Sequence, residues 1–184
     1  TDEFKRKIEN YIKEESHRNK QTNEYPVFSV SNKKGFIPQN EQFDDREVAS
    51  NDKTNYKIVS LNQFAYNPAR INVGSIGLYK NETPCIISPM YNVFSVVSID
   101  PFILELYFKS SYFINEMNKR LEGSVRMCLT IDGLKGIKFH LPSQTFLNSF
   151  SKAMDVLRRK IELEENLLSF YRTQKKYLLA NLFI

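Results

Sequence analysis

From Ser143 to Ile184 the chain contains neither Gly nor Pro and repeats apolar residues at alternating three- and four-residue steps. Leu147, Phe150, Met154, Leu157, Ile161, Leu168, Tyr171, Leu178 and Leu182 form this row, with Glu164 and Lys175 as its only polar occupants. The spacing predicts one long helix carrying an apolar seam for a partner helix. Pro142 closes the preceding segment, and Ser143 offers a side-chain oxygen to a free N–H of the first turn. At 1.5 Å per residue such a helix is roughly 60 Å long, beyond the diameter of a small domain. About two or three turns are expected to pack on the body of the protein, and the remainder to enter a coiled coil within or between molecules. The seam needs a mate because each Leu or Ile left in water forfeits roughly 1.5–3 kcal/mol.

Upstream, the pattern changes from helical period to strand period. Glu3 to Glu15 intersperses Phe4, Ile8, Tyr11 and Ile12 with charges and predicts a short amphipathic helix. A polar loop over 16–24 leads to a strand at Tyr25–Val30, then to a tight turn, Ser31-Asn32-Lys33-Lys34-Gly35, where Gly35 supplies a positive φ. Residues 39–55 read as loop with at most a helical turn, and Tyr56–Leu61 alternates as a strand. The segment Phe64 to Leu78 reads as a stiffened loop between strands, with Asn67-Pro68 turning the chain and Gly74 and Gly77 permitting close approach. Further strands are predicted at Pro84–Pro89 and Asn92–Ile99. Asp100-Pro101 then opens a helix, with Phe102, Leu106, Phe113, Met117 and Leu121 on one face, that ends at Gly123. Leu129–Ile131 and Ile137–Leu141 complete the strands and leave Arg126 and Lys135 on loops. The outcome is an α+β chain, a globular domain over 1–142 and a long helix over 143–184.

Composition narrows this picture modestly. No apolar run approaches the roughly 20 residues of a membrane span and the first residues are charged, so no membrane partner is expected and the protein reads as cytoplasmic. Cys85 and Cys128 lie in apolar surroundings without metal-ligand spacing and read as buried free thiols. Thr1 rather than Met opens the sequence, as in a piece of a longer polypeptide. The net charge of +5 points to an anionic partner, yet 1–142 carries 19 Lys and Arg against 17 Asp and Glu, and the helix carries seven against four. Bulk charge therefore decides little, and the loops must carry the chemistry.

Two of those loops hold suitable side chains. Ser31, Asn32, Lys33 and Lys34 either grip phosphate oxygens or form a solvated hairpin tip. Arg70 and Asn72 can make bidentate hydrogen bonds to guanine and adenine edges, although Arg70 equally suits an ion pair with a local carboxylate and Asn67 suits a turn closed on its own backbone. Asn67-Pro68 is similar to the Asn-Pro-Pro-aromatic motif of adenine methyltransferases, but Ala69 and Arg70 replace its second half and no Gly-rich loop follows a strand to hold a cofactor. His17 and His140 are far apart and lack a Cys or paired carboxylate at useful spacing, so hydrolytic catalysis lacks its parts. No catalytic residue, metal ligand or cofactor of its own is expected. A coiled-coil adaptor without DNA readout is the alternative class, using the helix and leaving the loops idle.

Taken together, Ser29–Phe36, Phe64–Ser75, Ser88-Pro89-Met90-Tyr91, Gly123–Arg126, the Pro142-Ser143 junction and the Lys175–Leu179 close resemble a type I restriction-modification specificity subunit. The resemblance covers one mixed-sheet target recognition domain and one spacer helix, with a departure at Gln144-Thr145-Phe146, where many members carry a Glu-Gln pair. It implies a non-catalytic subunit that reads one half of a bipartite site on double-stranded DNA. It also implies docking to adenine methyltransferase (modification) subunits, which bring S-adenosylmethionine, and through them to the restriction subunit. The long helix would pair with a second target recognition domain's helix or with a homodimer mate. By motif position, Lys33, Lys34, Arg126 and Lys135 would contact phosphates, while Asn32, Arg70, Asn72 and Tyr91 would read bases. Ser31 and Ser75 complete the DNA-facing set, and Pro68, Gly74 and Gly77 would serve as scaffold.

Overall fold

The computed structural model describes residues 5–20, 25–39, 53–123 and 127–182. The chain divides into two compact units, Thr1–His140 and Leu141–Ile184. Among the described residues the first contains strands β1 (Lys5–Lys7), β2 (Ile12–Glu15), β3 (Val27–Ser31), β4 (Gly35–Pro38), β5 (Lys57–Val59) and β6 (Gln63–Tyr66). After these come β7 (Ile76–Leu78), β8 (Cys85–Ile87), β9 (Asn92–Val96) and β10 (Lys138–His140). Three short helices, α1 (Pro101–Phe108), α2 (Ser111–Asn118) and α3 (Ile131–Lys135), lie between β9 and β10. The second unit is a single 38-residue helix, α4 (Gln144–Asn181). The architecture is α+β.

The strands form two four-stranded sheets, ordered β2-β9-β6-β7 and β4-β3-β8-β5, and a small β1-β10 ladder. Every pair in the first sheet is antiparallel, whereas β3 runs parallel to β8 in the second, which makes that sheet mixed. Val30, Val59, Ala65, Tyr79, Cys85, Ile87, Tyr91 and Val93 form a shared core, against which Phe28 and Phe36 pack. A second cluster is aromatic: Phe64 stacks on Phe94 with centroids 5.2 Å apart, and Phe108 meets both edge-on. That cluster seats α1 on the first sheet through Phe108 and Leu104, which are both buried.

Four readings of the sequence are corrected by pairing and capping. The segment expected as an amphipathic helix forms β1, a 3-10 turn at Ile8–Asn10 and β2. Ile8, Tyr11 and Ile12 are buried as expected, but β2 satisfies its backbone against β9 and β1 against β10, and that pairing overrides local helix propensity. Glu3 and Phe4 lie outside the described residues, as do 21–24, 40–52 and Ser124 to Arg126.

The single helix expected over 100–123 is broken after Phe108. Ser110 has extended backbone and its Oγ accepts from Phe113 N at 3.2 Å, starting a new helix. Asp100 does cap α1, accepting from Phe102 N at 2.8 Å. The strand expected at Leu129–Ile131 is instead the entry to α3, because Thr130 Oγ1 accepts from Gly133 N at 3.0 Å. Lys135 consequently sits in the last turn of a helix rather than on a loop. Of the two thiols, Cys85 is buried and Cys128 only half-buried.

The two sheets meet where β7 crosses the β3–β4 hairpin, and a glycine makes that crossing possible. A Cβ on Gly77 would stand 3.3 Å from the Phe36 ring and 3.4 Å from Val30 Cγ1. Gly74, at φ +93°, places its missing Cβ 3.3 Å from the Asn32 carbonyl oxygen. Gly74→Ala should therefore cost about 1–3 kcal/mol in urea unfolding, since it combines a left-handed conformation with a crowded backbone neighbour. An unchanged unfolding midpoint would contradict this close approach.

Candidate nucleic-acid interface

Residues 67–75 close on themselves. Ala69 N donates to Asn67 Oδ1 at 3.0 Å, Arg70 N donates to Asn67 O at 3.0 Å, and Asn67 N donates to Ser75 O at 3.0 Å. Asn67 thus closes its own turn. Leu129 N donates to Pro68 O at 3.0 Å, pinning the same loop from α3's side. A 3-10 turn at Ile71–Val73 buries Ile71 and leaves Asn72 and Val73 outward.

Facing this loop is the β3–β4 turn. Gly35 has φ +69°, and Lys33 N donates to Ser31 Oγ at 3.3 Å, so Ser31 is occupied in shaping the turn. Asn32, Lys33 and Lys34 are exposed at its tip. Ser75 Oγ donates to Val30 O at 2.8 Å, and Gly74 lies against Asn32, so the two loops are fastened to each other.

Between them opens a cleft of about 730 Å³, lined by Ser31 to Phe36, Asn72 to Gly74, Lys80, Asn81, Glu105, Lys109, Ile114 and Met117 among others. Glu105 holds both nearby ammonium groups, with Lys80 Nζ at 3.0 Å from Oε2 and Lys109 Nζ at 3.0 Å from Oε1. Burial pushes the Glu105 carboxyl up, but hydrogen bonds from the two lysines outweigh it and hold the group below its ordinary range. On the cleft wall Tyr79 donates to Thr83 O at 2.7 Å, and burial pushes its phenol up to about 12, so it is protonated at neutral pH.

Of the residues expected to face DNA, the structure places Ser31, Asn32, Lys33, Lys34 and Asn72 on this cleft. Arg70 is exposed on the adjoining loop and forms no salt bridge among the described residues. Two expected members are corrected. Tyr91 is only 7% exposed and its hydroxyl accepts from Val30 N at 3.4 Å, while Ser75 is 3% exposed. Both hydroxyls hold β3 in place from inside. Lys135 is away from the cleft and pairs with Glu14 at 3.5 Å and Asp132 at 3.9 Å. Arg126 is outside the described residues. Lys80, Asn81 and Lys109 also line the cleft and were missed; Lys80 and Asn81 follow β7 after Tyr79, and Lys109 ends α1.

The second unit carries its own surface. Ser143 Oγ accepts from Phe146 N at 3.3 Å and starts α4. Leu147 is buried, Phe150 and Met154 are half-buried, and Leu157, Ile161, Leu168, Tyr171, Leu178 and Leu182 are 48% to 68% exposed. A second row, Val156, Leu163, Phe170 and Tyr177, repeats every seven residues beside that seam and is equally exposed. The seven-residue interval was its available signal. No helix among the described residues is long and apolar enough to cross a membrane, and none of their His, Cys, Asp and Glu form a metal-holding group.

Solved structures share this architecture. A crystal structure of a type I restriction-modification system S subunit from M. genitalium aligns with a TM-score of 0.56 at 11% identity, covering 100% of this chain and 47% of its own. Our chain has the S-subunit fold. A structure described in work on complex assembly and conformational transition of the type I R-M system aligns at 0.51 with 14% identity, covering 95% and 43%. The chain therefore spans less than half the length of the S-subunit-like structures it matches. No family model and no curated protein matches the sequence. At these identities it is the S-subunit fold that is shared, and the side chains on its loops are this chain's own.

The Glu105 cluster yields a pH test. Because its folded-state pKa is lowered, its contribution is present above the unfolded carboxylate value and is lost as pH falls through the folded one. Glu105→Gln should cost about 1 kcal/mol or less at pH 7, since both lysines are largely solvated. The difference from wild type in urea unfolding should vanish as pH drops below the carboxylate range. A difference that grows with acidity would contradict the pairing.

Proposed function

We propose that this chain is a non-catalytic, DNA-reading half of a type I specificity subunit, working in the cytoplasm. In this reading the first unit recognises one half of a bipartite site on double-stranded DNA. The unit's two fastened loops carry the proposal: they present Asn32, Lys33, Lys34 and Asn72 on one cleft and Arg70 on the adjoining turn, all exposed. Lysines supply sequence-independent attraction to phosphates, and Arg70 and Asn72 have the forked geometry that guanine and adenine edges require. Arg126 joins them by its motif position, while Lys135 is left as a salt-bridged structural cation. Ser75 and Tyr91 act beneath the surface and Ser31 within the turn, setting the loops' shape.

The helix is proposed to fix the spacing between half-sites and to dock the adenine methyltransferase subunits, which bring S-adenosylmethionine and link the chain indirectly to the restriction subunit. Two apolar rows on α4 support more than one helical partner, because one helix covers a single stripe of roughly a third of the circumference. The row of Val156, Leu163, Phe170 and Tyr177 is assigned to the methyltransferase, and the seam through Leu157, Ile161, Leu168, Tyr171 and Leu178 to a second recognition unit's helix.

On duplex DNA, binding should weaken linearly in log–log terms as salt rises, and Lys33→Ala should lower the slope by about one. Arg70→Ala should cost about 1–3 kcal/mol on the half-site revealed by methylome sequencing and little on random duplex. Salt-insensitive or absent binding would instead favour an adaptor that does not read DNA.

Docking is tested separately. Leu163→Asp with Phe170→Asp should abolish co-purification of the methyltransferase subunit while circular dichroism stays unchanged. Retained co-purification would exclude that row.

A further inference from the structure

A pinned turn holds one hydrocarbon side chain out into water. The 3-10 turn Ile71–Val73 has about three residues per revolution, so with Ile71 turned inward at 2% exposure its two successors both lie on the outer side. One is Asn72. The other is Val73, which is 52% exposed and lines the cleft. Its backbone is held from three sides: Val73 N donates to Arg70 O at 3.2 Å, Gly74 N to Ile71 O at 2.9 Å and Ser75 N to Arg70 O at 3.1 Å. A branched Cβ also restricts Val to few rotamers. Its two methyl groups are therefore set in place before anything binds.

Resting on the reading of the first unit as a DNA-recognition unit, we propose that Val73 reads the 5-methyl group of a thymine in the major groove. The neighbouring side chains narrow the choice of partner. Over 31–35 and 67–75, the two fastened loops, the exposed side chains are Asn32, Lys33, Lys34, Arg70, Asn72 and Val73. One apolar side chain among amides and cations is too small a patch for the apolar surface of a protein partner. Duplex DNA presents the complementary set: phosphates, hydrogen-bonding base edges and, in the major groove, a single kind of apolar group, the thymine methyl.

Placement next to Asn72 fixes where that thymine stands. Adjacent Cα atoms are about 3.8 Å apart, and base pairs stack at about 3.4 Å. Asn72 and Val73 therefore reach the same base pair or two neighbouring ones. An adenine read by Asn72 carries its own thymine partner across the groove, so one A·T pair can satisfy both side chains.

The test removes the methyl group from the DNA and the hydrocarbon from the protein. The probe is a duplex carrying the half-site revealed by methylome sequencing, with each thymine in turn replaced by deoxyuridine, and binding of the full chain is followed by fluorescence anisotropy. At one thymine the wild type should lose about three- to fivefold in affinity, the worth of one methyl withdrawn from water. Val73→Ser should bind the thymine and deoxyuridine duplexes equally to within about 1.5-fold, which closes the cycle between the two groups. Leu61→Ala, a control at a 44% exposed apolar residue outside the cleft, should keep the wild-type difference. Asn72→Ala should relax base preference at the sensitive pair or the next one. Selective binding that ignores every thymine methyl, a difference that survives in Val73→Ser or disappears in Leu61→Ala, or no relaxation by Asn72→Ala beside the sensitive pair would overturn the inference and leave DNA reading intact. Absence of any salt-dependent binding would overturn both.

Discussion

One buried hydroxyl governs how the two loops of the candidate interface are arranged. Ser75 Oγ donates to the Val30 carbonyl at 2.8 Å and so ties the end of one loop to the strand that launches the other. A buried hydroxyl without a partner costs a few kcal/mol by order of magnitude, so this bond holds the two segments to one relative position. Tyr91 adds a second tie to the same residue, accepting from Val30 N. Around these bonds the absent side chains of Gly74 and Gly77 let backbone meet backbone. Either loop alone is an ordinary turn with solvated tips. Fastened together, they put amide and ammonium groups on one cleft, with the polar work of positioning done from below.

The long helix presents the opposite situation, two rows of exposed apolar side chains along its length. Exposed Leu and Ile attract any hydrocarbon, so hydrophobicity alone gives association without selectivity. Glu164 and Lys175 change that, because a charge inside an apolar seam penalises every alignment that leaves it unmatched. The proposed reading divides the two rows between two classes of neighbour.

Much of this was legible in the residues, for identifiable reasons. The terminal helix was marked by its uninterrupted period and by Ser143, and the β3–β4 turn by Gly35, because those signals are local and depend on no distant partner. The exposed tips, Asn32 to Lys34 and Arg70 with Asn72, followed from turn chemistry of the same kind. What failed depended on distant segments. Ile8, Tyr11 and Ile12 fit helical spacing, yet β9 and β10 supply hydrogen bonds that no local pattern can reveal. The break at Ser110 was hidden because apolar spacing continues through it from Phe102 to Met117. Tyr91 and Ser75 were read as DNA contacts because polar groups near a loop look available, whereas a hydroxyl can equally satisfy buried backbone. Lys109 joined the cleft from a helix far along the sequence, through Glu105.

The central claim is that the two fastened loops are the surface that meets DNA. Hydrogen–deuterium exchange of the full chain, with and without a duplex carrying its methylated half-site, tests it most directly. The account predicts slowed exchange at Ser31–Phe36 and Arg70–Gly77 in the bound state, with 157–182 unchanged. Protection confined to the helix, or spread evenly over the first unit with those two segments unaffected, would contradict it.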